Sequence, residues 1–129
     1  MPNASTLQFL LTLAKGIASQ FGPNCEVVVH DLATNDPERS IVAIENGHVT
    51  GRKVGDGPSH VVLEALRGNP EQLHDHLSYL TRTKDGKILK STTIYIRDDD
   101  GAPIGIFGIN YDITLMLAME DVLHGLPAT

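Results

Sequence analysis

Three strand-like runs follow one another in the C-terminal half of the chain: LSYLTRT (77–83), KILKSTTIYIR (87–97) and PIGIFGINYDI (103–113). They are parted by turn signals at Asp85-Gly86 and across DDDG (98–101), which join neighbouring strands directly and so predict an antiparallel meander. A sheet of this kind must bury at least one face, and the rest of the chain has to supply the cover. With 129 residues there is room for one domain.

The cover is legible at both ends. Leu7, Leu10, Leu11, Ala14, Ile17, Ala18 and Phe21 recur at three- and four-residue spacing and predict a helix over 6–21. Ser5 and Gln8 have capping-box spacing, and Gly22-Pro23 is a stop signal. CEVVVHDL (25–32) and SIVAIEN (40–46) read as strands, and Asn46-Gly47 as a type I′ hairpin turn into a third short strand, HVT. GRKVGDGPS (51–59) reads as a tight turn before the helix SHVVLEALRG, with Pro58 at its first helical position. Asn69-Pro70 starts another short helical turn, and TLMLAMEDVLHG (114–125) is a last helix with Asp112 or Thr114 as its N-cap. The order makes the class α+β, with short helices on one sheet face and the long N-terminal helix on the other.

FGPNCEVVVHDL, IENGHVTGRKVGDGPS and YLTRTKDGKILKSTTIYIRDDDGAPIGIFGINYDIT, with consistent spacing over residues 5–120, resemble the YheO-like PAS family of bacterial transcriptional regulators. The resemblance implies a PAS-like five-stranded antiparallel sheet and a sensory role upstream of a C-terminal helix-turn-helix that contacts DNA. This chain ends at Thr129, where the connection to that module would begin, and reads as the sensor region alone or as a stand-alone sensor. The expected organisation is an N-terminal helix and dimerisation element (1–24), a sensor core (25–113), and an exit helix with tail (114–129).

Composition narrows the function further. Ten Lys and Arg against sixteen Asp and Glu give a net charge of −6, which repels phosphate backbones and anionic lipid. Direct nucleic-acid or membrane binding by these residues is therefore not expected. The single Cys25 can form no internal disulfide and suits a reducing compartment, and the N-terminus lacks the basic start and apolar run of a signal peptide, so the expected location is cytoplasmic. Cys25 stands beside Glu26, which disfavours a thiolate nucleophile. His74 and His76 lie two apart, pointing away from each other on a helix and sharing a face only on a strand, so no metal is expected, and with the only Cys in the first strand and no histidine in a helical, pocket-facing run neither is a flavin or haem cofactor. No carboxylate pair or nucleophile-base spacing stands out, which argues against an enzyme.

The candidate site comes from the meander. With a two- or four-residue turn at DDDG, residues whose numbers sum to 199 face each other, so Ser91, Thr93 and Tyr95 share a face with Ile104, Ile106, Gly108 and Asn110. Ile94, Ile96, Phe107, Ile109 and Tyr111 then line the opposite, apolar face, suited to the first helix or to a second subunit. The mixed face, small and hydrogen-bonding around Gly108, suits a concavity for a small polar metabolite. Asn110, Tyr95, Thr93 and Ser91 are its candidate ligand contacts. His30 interrupts an apolar strand, as a histidine satisfied by a neighbour or as a ligand contact. Arg52 and Asp56 are candidate gates. The rival reading is a dimerisation or scaffold domain with a filled core, and behind it a small enzyme.

Overall fold

The computed structural model describes residues 4–33 and 36–126. Helix α1 (Ala4–Phe21) leads into strand β1 (Cys25–Asp31), and β2 (Ile41–Glu45) follows. A 3₁₀ turn at Pro37–Arg39 precedes β2, another at Gly47–Val49 follows it, and then come helix α2 (His60–Leu66) and a third such turn at Pro70–Gln72. The meander is β3 (His76–Arg82), β4 (Ile88–Arg97) and β5 (Pro103–Asp112), and helix α3 (Thr114–Gly125) follows it. The sheet is five-stranded, antiparallel at every pairing, in the order β2-β1-β5-β4-β3.

Among the described residues two hydrophobic clusters lie on opposite sheet faces. Leu10, Ala14 and Ala18 of α1 bury against Cys25, Val27, Val29 and Phe107, so the helical stripe is spent on the chain's own sheet. On the other face Val62 of α2 and Leu73 pack on Tyr95 and Ile106.

Local chemistry differs from the sequence reading at several points. HVT is not a strand: Asn46 is left-handed (φ 56) and opens the 3₁₀ turn, because its Nδ2 donates to the carbonyls of Gly22 (3.2 Å) and Cys25 (2.9 Å). Ser59 caps α2, its Oγ accepting from the Val62 N–H, so Pro58 precedes the cap instead of standing at the first helical position. Ser5 lies inside α1, and the cap position before Ala4 falls outside the described residues. At α3, Asp112 Oδ1 accepts from the Thr114 N–H (3.0 Å) and hydroxyl (2.6 Å), while Ile113 holds the cap position. Among the described residues no helix is long and apolar enough to cross a membrane.

Candidate functional site

The meander pairs Ser91 with Asn110, Thr93 with Gly108 and Tyr95 with Ile106. The register is shifted two residues from the sequence expectation. The loop at 98–102 sets Arg97 opposite Pro103, and a bulge between Ile96 and Arg97 adds one residue more. Two odd offsets restore the parity, so Ser91, Thr93, Tyr95, Ile106, Gly108 and Asn110 do share a face, and Phe107, Ile109 and Tyr111 lie on the α1 side.

That face floors a cleft of about 680 Å³. One wall is the segment from His48 to Arg52, the other is the β3–β4 hairpin from Thr81 to Lys87, and Pro58 to His60 close the end. Across the floor runs a hydrogen-bonded row one side chain wide. Glu26, fully buried on β1 opposite Asn110, accepts from Asn110 Nδ2 (2.9 Å) and from the N–H and hydroxyl of Thr50 (3.1 and 2.6 Å). Ser91 Oγ donates to Asn110 Oδ1 at 2.8 Å. With its proton so used, Ser91 accepts from Thr81 Oγ1 at 3.1 Å. The row therefore runs from Thr81 on one wall through Ser91, Asn110 and Glu26 to Thr50 on the other. It fixes the Asn110 carboxamide, since a flip would set its oxygen against the Glu26 carboxyl.

His30 is buried beside the floor, its Nδ1 2.7 Å from Ser40 Oγ. Burial, reinforced by the Arg52 charge, pushes its pKa down to about 4, so the imidazole is neutral at physiological pH. Arg52 borders the cleft half-buried. Asp56 is not brought to the cleft: its carboxyl accepts from the Lys53 N–H at 3.0 Å, closing the turn behind Arg52.

Tyr95 lies on the same face but opens on a second cleft of about 440 Å³ with Leu73, Asp75 and His76. Burial, then the nearby Tyr79 and Asp75, push its phenol pKa up. Val62, Tyr79 and Thr93 border both clefts, and the Tyr79 hydroxyl meets Thr93 Oγ1 at 2.8 Å between them. His76 stacks on the Tyr79 ring with centroids 4.1 Å apart. Among the described residues no group of three His, Cys, Asp or Glu could hold a metal ion. Cys25 is buried under α1, and desolvation with the adjacent Glu26 pushes its pKa up. Sequence reasoning missed Glu26, Thr50 and Thr81. The available signal was a charged residue inside the apolar run CEVVV.

An antiparallel five-stranded sheet in the order 2-1-5-4-3, with short helices over a cleft on one face, defines a PAS domain. Residues 1–127 match the YheO-like PAS domain, and the chain belongs to that family. It is 38% identical over 106 residues to the uncharacterized protein YheO of Escherichia coli K12, covering 76% of this chain and 40% of that protein. It is 30% identical over 118 residues to the transcriptional regulator DauR of Pseudomonas aeruginosa, covering 92% of this chain and 52% of the regulator. The chain thus spans about half the length, or less, of these relatives. Among solved structures, a light-oxygen-voltage domain studied with a flavin analogue superposes with a TM-score of 0.51 at 19% identity, over 88% of this chain and 93% of that one; the likeness is one of fold.

Proposed function

We propose that this PAS domain senses a small polar metabolite in the larger cleft, in the cytoplasm, and that occupancy biases a helix-turn-helix DNA-binding module of a transcriptional regulator. The observation that carries the reading is the polar row under the cleft. It joins the two walls through Asn110, which keeps an amide hydrogen and a carbonyl lone pair beyond those used by Glu26 and Ser91. A ligand that engages Asn110 acts on both walls at once, and its differential affinity for two wall arrangements sets the size of the output. Asn110, Thr93, His30 and Arg52 are assigned to ligand contact, Ser91 to holding Asn110, Tyr95 to the adjoining cleft, and Asp56 to the turn that carries Arg52. Homodimerisation belongs to the same proposal, supported by the exposed Phe9 and Leu13 of α1 and Leu80 of β3.

The test is calorimetric titration with the compound that co-purifies with the protein, identified by mass spectrometry. Asn110→Ala should weaken binding by roughly 1–3 kcal/mol through an unpaired ligand group. Tyr111→Phe, on the α1 side, should leave affinity unchanged. The reverse ranking assigns the ligand to the other face, and a purified protein that carries and binds no small molecule fits a scaffold domain instead.

A further inference from the structure

The cleft reverses the charge of the molecule that contains it. Four of the ten basic residues, Arg52, Arg82, Lys84 and Lys87, border it, against one of the sixteen acidic residues, Asp85. Asp85 is itself neutralised, since it accepts from the Thr83 hydroxyl and pairs with Lys87 at 3.7 Å. Lys87 is held in place by the carbonyls of His48 and Val49, at 3.3 and 3.1 Å, which ties the two walls together at their mouth. Arg82 and Lys84 are exposed, and Arg52 is the other half-buried cation of the four; among the described residues its guanidinium has neither a carboxylate nor a carbonyl partner, and its charge reaches the neutral His30.

A guanidinium partly stripped of water and left without a counter-charge is poised for an anion, and its planar fork grips carboxylate or phosphate oxygens in pairs. Glu26 sets the orientation: four residues along β1 from His30, its buried carboxyl behind Asn110 repels an acid group there and favours an uncharged hydrogen-bonding end. Resting on the sensing reading above, we propose that the cleft selects small organic oxyanions, with Arg52 clamping the acid group and Asn110 meeting the uncharged end. The basic hairpin residues Arg82 and Lys84 steer the anion in, so uptake is screened by salt.

The experiment titrates the full chain, stripped of small molecules by partial unfolding and refolding, with matched probes: succinate, inorganic phosphate, glycerol 3-phosphate, neutral succinamide and cationic putrescine. The expected result is binding by succinate or the phosphate probes and none by succinamide or putrescine. Which of the acids binds separates a carboxylate from a phosphate site. Affinity should fall with added sodium chloride, and Arg52→Gln should weaken binding roughly ten- to a hundredfold. Should Arg52→Gln not fold, the exposed double variant Arg82→Gln with Lys84→Gln decides, by slower association and a shallower salt dependence. Binding confined to succinamide or putrescine overturns the oxyanion assignment and leaves the sensor reading standing. Binding by none of the five, with no small molecule recovered from the purified protein, overturns both.

Discussion

Asn110 Nδ2 lies 2.9 Å from Glu26 Oε1, across a pair of residues 84 positions apart in the chain and directly opposite each other on β5 and β1. Glu26 is fully buried, and its three donors come from Asn110 and from Thr50 on the cleft wall. Glu26→Gln keeps the shape but turns an NH₂ group toward either Asn110 Nδ2 or the Thr50 donors, leaving at least one buried donor unpaired. A loss of about 1–3 kcal/mol in urea denaturation is expected, against less than about 0.5 kcal/mol for the exposed Glu64→Gln. Equal losses in the two variants would remove Glu26 from the row.

His30 makes stability depend on pH. Its folded-state pKa of about 4 lies below the ordinary 6.5, so between those values the unfolded chain binds a proton that the native chain does not. Stability is then complete above about pH 6.5, declines as the pH falls through that window and levels off below about 4, a difference on the order of 3 kcal/mol in all. His30→Asn, which offers an amide to Ser40 without a titrating ring, should flatten the slope of the urea midpoint between neutral pH and about pH 4.5. Parallel slopes in wild type and variant would place the burden on other groups.

What the sequence made visible was periodic, and what it hid was long-range. Alternation along β4 and β5 sorted Ser91, Thr93, Tyr95 and Asn110 onto one face because a sheet has a period of two. The register itself escaped, since it depends on the bulge between Ile96 and Arg97, which no local pattern marks. Asn46-Gly47 has the chemistry of a hairpin turn, yet the left-handed Asn46 serves a 3₁₀ turn because Gly22 and Cys25 offer it carbonyls. Arg82, Lys84 and Lys87 carry no local signal in the sequence, and only the folding of the hairpin over the 48–52 segment brings them to one cleft with Arg52.

Two glycines should respond to alanine with opposite signs. Gly57 lies in the turn before α2, where an added Cβ would come within 2.6 Å of Glu38 Cα and its carbonyl oxygen. Gly57→Ala must displace backbone and should cost at least about 1 kcal/mol. Gly16 is exposed in the middle of α1 with nothing within 4 Å of an added Cβ, so Gly16→Ala should stabilise by about 0.5–1 kcal/mol through helix propensity. Thermal melting of the two variants reads both signs, and a stabilised Gly57→Ala would mean that the 38–57 contact is looser than described.

The dimer proposed for α1 has to use the side of the helix that the chain's own sheet leaves free. Leu10 is 7% exposed and packed on Val27, Val29 and Phe107, so Leu10→Glu should unfold the domain rather than dissociate it. Phe9 and Leu13, 64% and 40% exposed and one helical turn apart, present an apolar strip to solvent. Phe9→Glu with Leu13→Glu places charge there without touching the core. Light scattering should therefore report a dimer for the wild type and a monomer for the double variant, with melting temperature at high dilution nearly the same for both, because dilution removes the contribution of association. A dimer of unchanged mass in the double variant would move the interface elsewhere, the exposed Leu80 on the same sheet face being the next position to charge.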